Sequence, residues 1–163
     1  MEVVYARQAL PESEAQRLRG GAIFLAGPTP RTKEVASWRP ATVRLLLKKK
    51  FSGYVFLPED PGGGTHGDKA LQRKWEWRAL EAADAVLFWV PRNLKTLPGF
   101  TTNIEFGYWA ARAPGKVVFG APSGAPQTSY MRELCTQPDV RIPVCSSLTD
   151  VVERAIARTK RTS

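Results

Sequence analysis

The chain has 163 residues, of which 43% are hydrophobic and 24% are charged, and this ordinary globular composition excludes a disordered or collagen-like protein. The 24 Lys and Arg residues against 15 Asp and Glu residues give a formal net charge of +9, which leaves open a nucleic-acid partner, a phosphorylated ligand or a merely soluble surface. No apolar run approaches the ~18 residues of a membrane span, and residues 1–14 lack the apolar stretch of a signal peptide, so we expect a cytoplasmic protein without a membrane partner.

Short apolar runs alternate with helical patterns along the first half of the chain. Apolar continuity and capping residues predict, in chain order, a buried strand over 22–26, a helix over 38–50 capped by Ser37, a strand over 54–57, a glycine-rich loop over 61–67 and a helix from Asp68 to about residue 83.

The second half continues the alternation, and its most apolar run, 85–90, predicts a central strand. The elements predicted after it are a helix from Thr101 or Thr102 to residue 112, a strand over 116–120, a short helix over 130–135, an edge strand over 140–144 interrupted by Pro143, and a helix over 148–160 capped by Ser147.

Strand–helix alternation with short connections predicts an α/β fold. We expect a single doubly wound, flavodoxin-like or Rossmann-like parallel sheet of about five strands with helices on both faces. The whole chain, 1–163, is predicted to be one domain, in which residues 1–20 form an N-terminal arm or an added strand. Ligands of such sheets bind at the carboxyl ends of the strands near the switch point. The loops of interest are therefore 27–31, 57–67, 90–103 and 120–128.

The chain offers little for metal or catalytic-triad chemistry. Cys135, Cys145 and His66 are its only cysteines and its only histidine, too few for a Cys/His zinc site without carboxylates. His66 lies in the glycine-rich loop, a poor place to hold a base, and we expect the cysteines to be reduced thiols. No dinucleotide-binding or P-loop glycine motif occurs. We therefore expect neither a metal nor a cofactor.

The positive charge is spread along the sequence. Its clusters are residues 48–50, 73–74 and 154–161, and no RNP, zinc-finger or helix-turn-helix spacing accompanies them. Lysines at the end of the predicted helix 38–50 also complement its dipole. We interpret the charge as a solvated surface and do not expect a nucleic-acid partner.

The loop after the first buried strand could bind a ligand. Backbone N–H groups near Gly27 and Pro28, the Thr29 hydroxyl and the Arg31 guanidinium could together hold a phosphate or a sugar hydroxyl. The alternative is a proline-stiffened turn with an exposed arginine, and the sequence favours neither.

Glu105 falls at the start of the helix that follows the central strand. The helix dipole there favours an ionised carboxylate, which suits a nucleophile or a base. The alternative is a capping box, because Glu105 lies three residues after Thr102, the candidate N-cap. Gly107 weakens that alternative, since a glycine inside a helix often marks close backbone approach.

Glu76 falls at the edge of the apolar face of the predicted helix 68–83, beside Trp75 and Ala79. Apolar neighbours would raise the pKa of its carboxyl, as a general acid requires. The alternative is a glutamate at the helix rim that pairs with Lys or Arg. Together, Glu76 and Glu105 would supply an acid for a leaving group and a nucleophile for an anomeric carbon, as glycosyl transfer requires.

Four segments in this order resemble the nucleoside 2-deoxyribosyltransferase family: residues 23–28, 55–60, 75–84 and 102–107. The resemblance covers about residues 22–135. It implies that Glu105 is the nucleophile that attacks C1′ of a 2′-deoxynucleoside. Glu76 stands where relatives usually carry aspartate, and it would position the sugar or assist proton transfer to the base.

The resemblance also implies contacts with substrate and with a second subunit. Glu59 and Asp60 occupy a loop that relatives use to contact the base, and Thr102 and Asn103 would lie near the sugar. Dimers or larger homo-oligomers are common in the family, with a neighbour's residue completing each pocket; Ser129 and Tyr130 are candidates for that residue.

The function that the resemblance implies is cofactor-free exchange of a free nucleobase between 2′-deoxynucleosides through a deoxyribosyl–glutamate intermediate. Hydrolysis of a nucleoside 5′-monophosphate is the alternative, favoured by Arg31, by the charge of +9 and by a wet pocket. A pocket walled by Trp89, Phe100, Phe106 and Trp109 would favour transfer instead, although aromatic residues in strands and helices usually belong to the core. A noncatalytic nucleotide- or nucleic-acid-binding module is the more remote alternative, and its binding to polynucleotide would depend strongly on salt.

Overall fold

The computed structural model describes residues 1–11, 20–32, 34–64 and 67–160, which form one six-stranded sheet with helices on both faces. His66 and Arg161 lie outside the described residues, as do residues 12–19 of the predicted N-terminal arm. The strands are β1 Glu2–Tyr5, β2 Ala22–Ala26, β3 Tyr54–Leu57, β4 Ala85–Trp89, β5 Val117–Gly120 and β6 Val144–Cys145. The helices are α1 Arg39–Lys48, α2 Lys69–Ala82, α3 Phe100–Arg112, α4 Ser129–Cys135 and α5 Leu148–Thr159.

All pairings in the sheet are parallel, and the strand order is β1-β3-β2-β4-β5-β6. The predicted parallel α/β architecture is therefore confirmed. The strand beyond the five expected is β1, which pairs with β3 so that Val3 lies opposite Val55. From β3 to β6 the order is that of a flavodoxin-like sheet. The chain reverses direction across the sheet between β2 and β4, so the switch point lies where these two strands end.

The two central strands carry apolar residues on both sides, which is why their sequences read as continuous apolar runs. Every residue of β2 and of β4 is buried. Phe24, Phe56 and Phe88 face the core that includes residues of α2, α3 and α4. The opposite face packs against α1 and α5, through Ile23, Leu25, Val55, Leu87 and Val118. Burial on both faces is the pattern expected of a parallel sheet.

Local capping signals locate two helices correctly. The Asp68 carboxylate accepts from the backbone N–H of Ala70 at 2.7 Å at the start of α2, and the Ser147 hydroxyl accepts from that of Asp150 at 3.1 Å at the start of α5. At α1, Ser37 Oγ accepts from the N–H of Arg39 at 3.2 Å, and the helix begins one residue later than predicted. Among the described helices, none is long and apolar enough to cross a bilayer.

Two predicted elements differ from the structure. The last strand is confined to Val144–Cys145 at the sheet edge, although 140–144 was predicted, because Pro143 has no N–H and joins β5 only through its carbonyl, which accepts from Phe119 at 3.2 Å. Helix α3 begins at Phe100, with Gly99 as its N-cap in the left-handed region at φ 64°. Thr102 therefore lies inside the helix, and the capping box with Glu105 is wrong.

Candidate active site

A cavity of about 250 Å³ lies at the switch point, between the loop after β2, the end of β3 and the beginning of α3. Glu76 of α2 completes its walls. The lining residues are Phe24, Ala26, Gly27, Thr29, Arg31, Arg39, Pro58, Glu76, Pro98, Gly99, Phe100, Thr101 and Glu105. The two glutamates singled out in the sequence thus face the same cavity from two different helices.

Glu105 lies in the second turn of α3 and is partly buried. Burial raises the pKa of its carboxyl to about 7, the charge of Glu76 adds to this rise, and the Arg39 guanidinium opposes it. The expectation that the helix dipole keeps Glu105 anionic is therefore wrong. Because α3 begins at Phe100, one or two residues earlier than predicted, Glu105 lies beyond the first turn. The dipole acts most strongly within the first turn, so the loss of water dominates the pKa of Glu105.

Glu76 is held by a neutral amide. Gln72 Nε2, one turn earlier on α2, donates to Glu76 Oε1 at 2.7 Å. Burial raises the pKa of Glu76, and the bond from Gln72 and the charges of Arg39 and Arg73 oppose the rise. The direction agrees with the sequence-based expectation for this carboxyl.

Arg39 is the site residue that the sequence analysis missed. Its guanidinium is 1% exposed and donates to the carbonyls of Leu25 at 3.0 Å and Gly27 at 2.7 Å, and to Thr29 Oγ1 at 3.2 Å. It also forms an ion pair of 2.6 Å with Glu59. A cation in the first turn of a helix opposes the dipole, and this unfavourable placement beside Pro40 is the signal that could have drawn attention to it.

The loop after β2 approaches the neighbouring strand closely. A Cβ on Gly27, whose φ is 148°, would lie 2.2 Å from the carbonyl oxygen of Trp89, so the closure of the switch point requires glycine. Pro28 is buried outside the cavity lining, and its carbonyl accepts from Trp38 Nε1 at 3.0 Å. Arg31 is exposed at the cavity mouth, with its guanidinium 5.7 Å from the centroid of the Phe100 ring.

Glu59 and Asp60 lie behind this cavity rather than in its lining. The Glu59 carboxylate is engaged by Arg39 and by Ser37 Oγ at 3.0 Å. Asp60 forms an ion pair with Arg7, from the turn after β1. Both residues line a neighbouring cavity of about 880 Å³, which is bounded by the loop after β2 and by the glycine-rich segment 61–64. Arg31 contributes to both cavities.

Thr102 and Asn103 do not line the cavity. Thr102 is 2% exposed, and the Asn103 side-chain oxygen accepts from Arg92. Arg92 also donates to the carbonyl of Gln127 at 2.5 Å, so Asn103 faces the loop after β5. Their proximity to a sugar remains a prediction.

Of the four aromatic residues considered as walls of the pocket, three belong to the core. Phe106 and Trp109 are buried in the core beneath α3, and Trp89 is buried on the opposite face of the sheet. Phe100 alone of the four lines the cavity, and it is 68% exposed at the mouth. The mouth is therefore open to water on this side.

The cysteines are buried free thiols. Burial raises the pKa of Cys135 to about 12 and also raises that of Cys145, so neither has the character of a nucleophilic thiolate. No group of three or more side chains able to hold a metal ion occurs in the described part of the chain.

Two carboxyl groups in one small cavity, with a buried guanidinium nearby, can share protons and act on one substrate from two sides. A carboxylate in this setting can attack a carbon, and its partner can give or take a proton, which are the two roles in nucleophilic glycosyl transfer. The geometry is thus suited to carboxylate-based chemistry at a sugar.

The comparison with known proteins agrees with this arrangement. No curated protein sequence matches the chain. A family model described as "nucleoside 2-deoxyribosyltransferase like" matches residues 20–125, about two thirds of the chain, and the matched region contains every residue that lines the cavity. The chain therefore belongs to the nucleoside 2-deoxyribosyltransferase-like family.

Proposed function

We propose that this protein is a nucleoside 2′-deoxyribosyltransferase that exchanges purine or pyrimidine bases between 2′-deoxynucleosides. The observation that carries the proposal is the presence of Glu76 and Glu105 on one cavity at the switch point of the sheet. Membership in the family supplies the substrate class, and the paired carboxyls supply the chemistry.

In the proposed reaction, a carboxylate oxygen of Glu105 attacks C1′ as the bond between C1′ and the base nitrogen breaks. The base leaves with the bonding electrons and takes a proton from Glu76. The nitrogen of an incoming base then attacks C1′, the ester bond to Glu105 breaks, and the proton of the incoming base passes to Glu76. No cofactor takes part, and both glutamates return to their starting states.

The loops around the cavity have matching roles in this proposal. Thr29 and Arg31 contact the substrate from the loop after β2, where Gly27 and Pro28 shape the backbone. Asp60 and Glu59 border the side on which the base lies, and Thr102 and Asn103 support the start of α3. Arg39 holds the loop and provides a positive charge behind the carboxyl pair.

Incubation with deoxyuridine and free adenine tests the proposal directly. We expect deoxyadenosine and uracil to form in equal amounts, as measured by chromatography. A 2′-fluoro-2′-deoxynucleoside, whose ester is slow to break, should leave its sugar on the peptide that contains Glu105. Glu105→Gln should abolish exchange while preserving the fold, because the amide has the same shape but is not a nucleophile. Retained exchange in that variant would remove Glu105 from its role.

Hydrolysis of a nucleoside 5′-monophosphate is a second candidate, favoured by the open mouth beside Phe100 and by the exposed Arg31 at that mouth. Water entering there would compete with a base for the sugar ester, and the guanidinium could pair with a phosphate. Parallel assays with nucleosides and nucleotides separate the two: free deoxyribose 5-phosphate without base exchange would favour the hydrolase.

We further propose that the chain forms a homodimer or a larger homo-oligomer. Phe100, Ile104 and Tyr108 recur every four residues on the exposed side of α3. The Trp77 ring packs against the Tyr108 ring, with 5.2 Å between the ring centroids. This apolar stripe, residues 77, 100, 104 and 108, begins at the cavity mouth. A second copy that covered it would also close the open side of the cavity.

A further inference from the structure

A series of hydrogen bonds connects the N-terminal turn with the cavity. Arg7 follows β1 and lies outside the region matched by the family model. Its Nη1 donates to Gln72 Oε1 at 2.9 Å, and its Nη2 pairs with Asp60. Gln72 Nε2 in turn donates to Glu76 Oε1 at 2.7 Å and to the carbonyl of Pro58 at 3.3 Å. One side-chain amide therefore separates Arg7 from Glu76.

The guanidinium determines which end of the Gln72 amide faces Glu76. An arginine has only donors, so the amide must direct its carbonyl oxygen toward Arg7 and its NH2 group toward Glu76. A rotated amide would place its oxygen against the carboxylate oxygen of Glu76, which is repulsive unless Glu76 is protonated. All three contacts of Gln72 agree with the observed orientation.

The turn that carries Arg7 is itself fixed to the site. Arg7 has φ 67°, a conformation that residues other than glycine seldom adopt. Gln8 stabilises the turn, because its side-chain oxygen accepts from the N–H of Tyr5 at 2.8 Å and its carbonyl accepts from Trp75 Nε1 at 2.8 Å. Trp75 directly precedes Glu76, so the turn is attached to the same helix that carries the carboxyl.

We infer that Arg7 is a positioning residue for Glu76, which acts through Gln72 to keep one carboxylate oxygen hydrogen-bonded at the cavity wall. The inference rests on the role of Glu76 in the proposed function. It assigns a part in that reaction to the N-terminal strand and turn, which precede the family match. The charged groups that act on Glu76 from the surrounding helices are Glu105 on α3, Arg39 on α1 and Arg73 on α2, and the substitutions below leave all three in place.

A double-mutant cycle in base exchange tests the inference. Arg7→Met keeps most of the side-chain length but removes the donors, and we expect kcat to fall about tenfold with KM within about twofold, because a charge-assisted bond at the site is lost. Gln72→Leu should cost about the same, and Arg7→Met should add almost nothing in the Gln72→Leu background. Lys49→Met, which removes one positive charge from the exposed ion pair with Glu153, is the matched control and should leave kcat unchanged.

Additive losses of kcat in the double variant would overturn the inference, because Arg7 would then act by a route other than Gln72. A rise in KM at unchanged kcat would also overturn it. Arg7→Lys covers the case in which Arg7→Met does not fold. It keeps a charge beside Asp60 but replaces the two-armed guanidinium by one ammonium, so we expect a reduced kcat at the wild-type melting temperature. The inference would be contradicted if Arg7→Lys folded and kept the wild-type kcat while the single variant Gln72→Leu had a reduced kcat.

Titration of the Glu76 carboxyl by carbon-13 NMR separates this inference from the proposed function. Without Arg7, the amide no longer favours the carboxylate, so the pKa of Glu76 should rise in Arg7→Met and stay unchanged in Lys49→Met. A rise in a protein that exchanges no bases would leave the positioning role standing and refute the function. An unchanged pKa of Glu76 in an Arg7→Met protein that still exchanges bases would refute the positioning role and leave the function standing.

Discussion

Glu76 and Glu105 face one cavity, and each makes ionisation of the other less favourable. Burial raises the pKa of both carboxyls, and the Coulombic effect of Glu76 adds to the rise at Glu105. The Arg39 guanidinium limits both rises, and it cannot turn away because Glu59, the carbonyl of Leu25 in β2 and two oxygens of the following loop hold it. Because the pKa of Glu105 is raised to about 7, the pair titrates near neutral pH, and its reactivity depends on which carboxyl carries the proton.

The pH dependence of base exchange follows from this arrangement. Glu105 must be a carboxylate to attack C1′, and burial raises its pKa to about 7. We expect kcat/KM to rise with pH, about tenfold per unit below that value, and to fall again at higher pH, where Glu76 has lost the proton that it gives to the leaving base. In Glu76→Gln the repulsion is absent, so the rise should occur at lower pH. A profile measured from pH 5 to 9 that is flat through 7 would contradict the assignment.

The same carboxyl should limit stability. The folded-state pKa of Glu105, about 7, exceeds the ordinary value of 4.5, so its stabilising contribution is fully present below pH 4.5 and is lost as the pH rises through 7. Glu105→Gln has no such loss, and it should be more stable than the wild type by up to about 3 kcal/mol at pH 8.5, with little difference at pH 4.5.

Denaturant titrations at the two pH values provide the measurement. Glu153→Gln, a substitution in an exposed ion pair, serves as the control and should change stability little at either pH. If the difference in stability between Glu105→Gln and the wild type were the same at pH 4.5 and pH 8.5, the carboxyl would not be desolvated in the folded state.

At the level of single residues, the sequence identified what depends on local spacing. Glu76 could be placed at the edge of an apolar helix face from the period of α2 alone, and Glu105 from its position after the central strand. The roles of Arg39 and Gln72 were missed. The partners of Arg39 lie 10 to 20 residues away in the sequence, and those of Gln72 include Pro58 and the turn after β1. The pKa of Glu105 was predicted in the wrong direction, since its burial depends on how three loops close over it.

At the level of elements, α3 shows which signals were strong and which were not. Asp68 and Ser147 start α2 and α5 through local side-chain bonds, so the sequence placed these helices correctly. Helix α3 begins instead on the left-handed conformation of Gly99, which leaves no side-chain signature. Gly107, interpreted in the sequence as a mark of close backbone approach, has open space within 4 Å of an added Cβ. That interpretation is wrong for the isolated chain.

Gly107→Ala should therefore stabilise the protein by about 1 kcal/mol, because alanine is the better helix former and nothing obstructs its methyl group. Gly27→Ala is the opposite case, since its Cβ would collide with the Trp89 carbonyl and its φ of 148° disfavours a side chain. We expect a loss of about 2–4 kcal/mol there. Thermal or chemical denaturation measures both, and a destabilised Gly107→Ala would mean that another surface packs against α3.

At the level of the whole molecule, the exposed apolar side chains are unevenly distributed. Ile104 is 73% exposed and Phe100 68%, and both belong to the apolar stripe that begins at the cavity mouth. The net charge of +9 would keep single copies apart, so assembly has to rely on an apolar contact of this kind. The stripe thus joins two proposals, because a partner copy that covers it would also limit the access of water to the sugar ester.

Ile104→Glu tests the assembly. A carboxylate in the middle of a buried apolar contact should weaken self-association about a hundredfold or more, so the variant should run as a monomer in light scattering at concentrations where the wild type is assembled. Leu47→Glu, on the exposed side of α1 and 56% exposed in the wild type, is the matched control and should leave the assembly intact. If the partner also closes the cavity, Ile104→Glu should release more free deoxyribose per base exchanged. A wild type that is monomeric at all concentrations, or an Ile104→Glu variant that assembles like it, would show that the stripe is not the contact.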